Sequence, residues 1–141
     1  DCPPSLAMLT INALSAADEV LIPVQAQYLP AKGMTKLLRT VSKVQRKINS
    51  NLKIAGVAIT LADLKTNLAK DTIEMIHENF GQHFKVFNSV IPVAVKASEA
   101  TVSGKSVYSY ARDSKVAVAY DELTKEVIHA SKEKRRSDLI R

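Results

Sequence analysis

Three short, nearly unbroken apolar runs constrain this chain more than any other feature: EVLIPV at 19–24, LKIAGVAIT at 52–60 and VFNSVI at 86–91. A strand with one wet face alternates polar and apolar residues, whereas a continuous apolar run suits a strand buried on both faces. Between the runs the period changes. Over 33–49, Leu37, Leu38, Val41, Val44 and Ile48 recur at helical spacing and predict a long helix with one apolar stripe. A helix over 67–79 should turn Ile73, Ile76 and Phe80 inward and stop at Gly81. Ser5, behind Pro3 and Pro4, can cap a helix over 6–17. A loop or short helix is expected over 95–104, and a last helix over 114–131 with Val116, Ala119, Tyr120, Leu123 and Val127 on its core face. Val107, Tyr108, Ser109 and Tyr110 alternate as a short edge strand would, and Met8, Met34 and Met75 fit core filling. Strands separated by helices of this length require crossovers, so the fold class is α/β: a parallel sheet with helices on both faces.

The 141 residues amount to about one domain, and with 46% apolar residues the chain can bury a sizeable core. Aromatics are only 5% and Trp is absent, so that core is aliphatic. A single cysteine, Cys2, excludes an intrachain disulfide and a multi-cysteine zinc site. No apolar run approaches the roughly 20 residues that span a bilayer, and DCPPS is not the start of a signal peptide. The expectation is a soluble, cytoplasmic protein. His77, His83 and His129 share no metal-ligand spacing with one another or with Cys2, which has no nearby base to make it a nucleophile.

The net charge of +6 is unevenly spread. No acidic residue occurs between Glu19 and Asp63, a stretch that holds Lys32, Lys36, Arg39, Lys43, Arg46, Lys47 and Lys53. Lys32, Lys36, Arg39, Lys43 and Lys47 recur every three to four residues and share one helix face, about 150° from the apolar stripe. Like charges at that spacing repel, so stability alone does not explain the arrangement. It suits a polyanionic partner, nucleic acid or an anionic membrane surface; the alternative is a plain solvated face. The basic tail from Lys132 to Arg136 is expected to be a frayed, soluble end.

Four collinear blocks carry a family resemblance: DCPPSLAMLTINALSAADEVLIPVQAQYLPAKG, GVAITLADLKTNLAKDTIEMIHENFG, VFNSVIPVAVKASEATVSGKSVYSY and AYDELTKEVI. In order and spacing they resemble the C-terminal part of the ParA/Soj partitioning ATPases, deviant-Walker P-loop proteins related to MinD. The resemblance implies that residues 1–141 belong to one ATPase domain entered at its Walker B motif, with Asp1 as the Walker B aspartate serving Mg²⁺ through a bound water. No GxxxxGK[ST] loop occurs, since Gly33, Gly56, Gly81 and Gly104 lie far apart. The ATP-cradling loop is therefore expected upstream, and this polypeptide alone is not expected to hydrolyse ATP.

The same resemblance places Pro92, Val93 and Ala94 at the adenine pocket, where many relatives have Pro-Arg-Asn, and Thr60 and Asp63 beside it. For Thr60 and Asp63, simple loop capping is the competing assignment. Arginines that relatives use on DNA correspond to Lys65 and Lys96, which keep the charge without the forked grip. The implied activity is DNA segregation by an ATP-bridged homodimer that binds DNA non-specifically, nucleoid-associated and stimulated by a ParB-like partner. Two alternatives compete with it: a MinD-like membrane-associated ATPase, for which the tail offers only Leu139 and Ile140 as bulky apolar groups, and a nucleotide-free interaction domain.

Overall fold

The computed structural model describes residues 8–26 and 30–139, with the side chains of these except 30–32, 134, 135 and 137–139. Strands β1 (Glu19–Gln25), β2 (Lys53–Ala62) and β3 (Val86–Pro92) lie at the three apolar runs and form a parallel sheet in the order β1-β2-β3. Helix α1 (Met8–Ala16) precedes the sheet; α2 (Pro30–Lys47) and α3 (Asn67–Phe80) are the two crossovers. After β3 come α4 (Val95–Val102), α5 (Val107–Ala111) and the long α6 (Lys115–Leu139).

The sheet is covered on both faces, as the unbroken apolar runs demand. On one face Ile22, Val24, Val57 and Ile59 pack with Met34 of α2 and with Ala69 and Ile76 of α3. On the other, Ala58, Phe87 and Ile91 meet Val116, Ala119, Leu123 and Ala130 of α6. Phe87 is fully buried because Gly56 makes room for it: a Cβ there would sit 2.7 Å from the Phe87 ring and 2.8 Å from the Lys85 carbonyl oxygen. A third cluster joins Leu14 of α1 to Val41, Val44 and Leu52.

Two amides fix how α2 is rotated about its own axis. Asn49 Nδ2 donates to the Leu14 and Ala17 carbonyls at 3.2 and 2.8 Å, satisfying the C-terminal end of α1. Gln45 Nε2 donates to the Leu52 carbonyl at 2.8 Å. With Val41 and Val44 buried, these bonds turn the basic side of α2 to solvent.

Several expectations are corrected. Ile48 leaves the apolar stripe: α2 ends at Lys47, the Ile48 and Asn49 N–H groups both donate to the Val44 carbonyl, and Ile48 is 60% exposed. The alternation at 107–110 is helical (α5), because the Ser106 hydroxyl accepts from the Ser109 N–H at 3.1 Å and starts a helix. Tyr120 is exposed, and Ala117 fills the core face of α6 in its place. Met34 is buried, whereas Met8 and Met75 are exposed. Gly81 ends α3 in a right-handed conformation with φ −63°, not the left-handed stop that a glycine allows. Helix α6 runs to Leu139 instead of ending near 131, since no Gly or Pro interrupts the charged segment. Asp1, Cys2 and the Ser5 cap lie outside the described residues.

Candidate functional site

In an open parallel sheet, the loops that follow the strands gather at one edge, and ligands bind there. The C-terminal ends of β1, β2 and β3 are laced together by backbone bonds: Ala26 N–H to the Thr60 carbonyl at 2.9 Å and Val93 N–H to the Ala62 carbonyl at 3.1 Å. Thr60, Asp63 and the segment Pro92–Ala94 thereby come to one edge. The two bonds go to opposite neighbours, whereas the carbonyls of residues i and i+2 in a regular strand point the same way. Leu61 makes the switch. Its φ of 50° is left-handed, unusual for a bulky residue, and turns the Ala62 carbonyl from β1 toward β3. Such strain collects at functional sites, and nothing in the sequence around Leu61 signals it.

The polar groups at this edge have partners of their own. The Thr60 hydroxyl lies 3.5 Å from the Val24 carbonyl oxygen. The Asp63 carboxylate accepts from the Lys65 N–H at 3.2 Å, and Thr66 caps α3 by accepting from the Ala69 N–H at 3.2 Å. Asp63 therefore performs the loop-capping task weighed above. Pro92–Ala94 leads straight into α4, with Val93 and Val95 exposed on the way.

The two lysines at the arginine positions differ from each other. Lys65 is exposed in the loop beside Asp63. Lys96 is held: its ammonium lies 2.9 Å from Glu99 Oε2 and 5.6 Å above the Tyr110 ring, and the Tyr110 hydroxyl donates to the same Glu99 oxygen at 3.2 Å. The hydrogen bond with Glu99 raises the Lys96 pKa, and the bond from Lys96 lowers that of Glu99. Much of the charge at Lys96 is therefore compensated from within the chain. Glu99, one turn along α4, and Tyr110, across the α4–α5 turn, escaped the sequence reading.

A second carboxylate sets the position of β3. Glu126 of α6 accepts from the N–H groups of Asn88 and Ser89 at 2.9 and 2.7 Å, and from the Ser89 hydroxyl. Two successive N–H groups can face one carboxylate because the β2–β3 register shifts between Val57/Val86 and Ile59/Val90. Burial pushes the Glu126 carboxyl up, but the Ser89 hydroxyl, the two N–H groups and nearby Lys85 outweigh it and leave the pKa lowered.

The basic residues gather elsewhere. Lys36, Arg39, Lys43, Arg46 and Lys47 are exposed along α2, and Thr35, Leu38, Arg39, Ser42, Lys43 and Arg46 line a shallow groove of about 490 Å³. The Lys32 side chain lies outside the described residues. Since α2 follows β1, its N-terminal end is near the loop edge and its C-terminal end is at the opposite side of the sheet.

Comparison with known proteins is consistent with this architecture. The AAA domain family matches residues 1–54. The chain is 43% identical over 128 residues to the chromosome-partitioning ATPase Soj of Treponema pallidum, covering 91% of this chain and 50% of that protein. It is 46% identical over 127 residues to the sporulation initiation inhibitor protein Soj of Bacillus subtilis, covering 90% and 49%. Along about nine-tenths of its length the chain is similar to part of ParA/Soj proteins. It spans about half the length of the curated relatives it matches. Among solved structures, cobyrinic acid a,c-diamide synthase from Mycobacterium smegmatis with bound ADP and magnesium is 32% identical with a TM-score of 0.73, over 94% of this chain and 46% of that one. Apo McdA from Cyanthece, 19% identical with a TM-score of 0.75 over 91% and 51%, shares the fold.

The loop edge of the sheet presents apolar surface of the kind a nucleotide base can lie against. Exposed Val93 and Val95, beside Pro92 and Ala94, offer an apolar wall for a base. Among the described residues no group of three His, Cys, Asp or Glu could hold a metal ion, so the Mg²⁺ assignment rests on Asp1, outside them.

Proposed function

We propose that this chain is the C-terminal part of a ParA/Soj-type DNA-partitioning ATPase, supplying the base-contacting edge and the DNA-holding surface of the intact polypeptide. The observation that carries the reading is the match to Soj along about nine-tenths of the chain, with the strand ends converging where a nucleotide would lie. Magnesium-bound ATP supplies the phosphoanhydride to be cleaved and joins two subunits; a ParB-like partner stimulates cleavage and so releases the DNA. Within that scheme Pro92, Val93 and Ala94 lie against the base, held at the sheet edge by the Val93–Ala62 bond. Thr60 and Asp63 shape the neighbouring loop, and Asp1 holds the metal's water. Leu61 and Glu126 are positioning residues: one aims the Ala62 carbonyl at the Pro92–Ala94 loop, and the other fixes β3, which carries that loop.

A membrane-reading alternative needs a free apolar helix face. The stripe of α2 is taken up by the core, and among the described residues no helix is long and apolar enough to cross a membrane. The test is ATP turnover by the intact polypeptide with duplex DNA and Mg²⁺. Turnover should be lost in Asp1→Asn while ATP still binds; undiminished turnover in that variant overturns the assignment.

A further inference from the structure

The outward side of α2 is more strongly charged than helix stability explains. Taking about 100° per residue, Lys36, Arg39, Lys43, Arg46 and Lys47 point within a sector about 100° wide, roughly 150° from the buried stripe of Met34, Leu37, Val41 and Val44. The first turn of α2 has no acidic residue to complement its dipole. Among the described residues, Lys36, Arg39, Lys43 and Lys47 have no acidic partner, while ion pairs are found on α4 and α6. Arg46 spends one N–H on the Ser42 carbonyl, at 3.3 Å, which leaves the outer part of its guanidinium available. Thr35 and Ser42 add hydroxyls to the groove in which Arg39, Lys43 and Arg46 meet.

The chemistry of this face selects among polyanions. It carries no aromatic residue, so it has no platform on which bases of a single strand would stack. Its bulky apolar residues are turned into the core except Leu38 at the groove wall and Ile48 beyond the helix end, too little to anchor in a bilayer. What remains is a row of cations about 16 Å long from Lys36 to Lys47. Duplex DNA presents one charge per roughly 1.7 Å of its axis, so such a row can neutralise several phosphates without reading a base.

We propose that α2 is a duplex-DNA-backbone-binding face, with Arg39, Lys43 and Arg46 as its centre, and that it carries more of the DNA contact than Lys65 and Lys96. The inference rests on the DNA-partitioning reading and adds where the duplex lies. Lys96 contributes little because Glu99 and Tyr110 already hold it; the α2 cations have no such competitor.

The experiment measures binding of a fluorescent random-sequence duplex to the intact polypeptide with ATP and Mg²⁺ across a salt series. Arg39→Gln/Lys43→Gln/Arg46→Gln should weaken binding at least about tenfold and lower the slope of log affinity against log salt by up to about 2.7, near 0.9 for each lost contact. Lys65→Gln/Lys96→Gln should lower it by about 1 or less, and Arg39→Lys/Arg46→Lys should restore most of the affinity lost on neutralisation. Glutamine is a good helix former at these exposed positions, and circular dichroism checks that the triple variant folds. If the wild type binds DNA and the triple variant matches it in affinity and slope, α2 is not the face, though the partitioning reading stands. A larger loss in the Lys65/Lys96 variant than in the triple variant also overturns the proposal. Wild type that binds no duplex in any nucleotide state refutes both readings. Vesicles of phosphatidylglycerol retained through α2 in place of DNA would make the face a membrane contact.

Discussion

Replacing Glu126 by glutamine tests whether one side chain from α6 sets the position of β3. The carboxylate accepts two backbone N–H bonds, at 2.9 and 2.7 Å, and one hydroxyl bond. Glutamine keeps the shape but offers one acceptor oxygen and an NH₂ group, which turns a donor toward a donor at either Asn88 or Ser89. Losing the charge-assisted part and leaving one N–H poorly paired costs about 2 kcal/mol, or roughly 30-fold in a local opening equilibrium. Hydrogen exchange of the Asn88 and Ser89 amides, compared with wild type at the same pH, reads this directly, with the α3 amides as an internal control. The pH dependence follows from the lowered Glu126 pKa. A carboxyl with a depressed folded pKa stabilises the fold above its ordinary range, and that stabilisation fades as pH falls through the folded value. Wild-type protection at Asn88 and Ser89 should therefore fall toward that of Glu126→Gln below the usual carboxylate range, while the variant shows no such step. Unchanged protection in Glu126→Gln near neutral pH would refute the reasoning.

Other outcomes follow from single contacts. Phe87→Ala empties the fully buried site above Gly56 and should cost about 3–5 kcal/mol in denaturant unfolding, the range for a large aromatic removed from a core. Thr66→Ala removes the α3 cap and should cost about 1 kcal/mol, with faster exchange of the Ala69 amide; Thr66→Ser should restore it. Glu99→Gln releases Lys96 and should steepen the salt dependence of DNA binding by up to about 0.9, with an unchanged slope showing that Lys96 does not face the duplex.

The strands and crossover helices were legible because burial on both faces writes itself as unbroken apolar runs, and the stripe of α2 as helical spacing. Misreadings arose where few residues decide. Four alternating residues at 107–110 fit a strand or a helix, and the Ser106 cap settles it. Ile48 keeps the helical period but falls just beyond the last turn, and Tyr120 stands on the flank of a face that Ala117 fills. Glu126 carried no signal because its partners are 37 and 38 residues away. The candidate edge was readable only as loops after strands; the left-handed Leu61 that joins them depends on the register of two neighbours at once. The basic face was visible as spacing; the burial of Val41 and Val44, with the bonds from Asn49 and Gln45, turns it outward.

The most direct test of the account is duplex DNA binding by the intact polypeptide at one salt concentration, compared with ATP and with ADP. Tight binding with ATP that is lost with ADP is the predicted result. Binding that is the same with either nucleotide would contradict it.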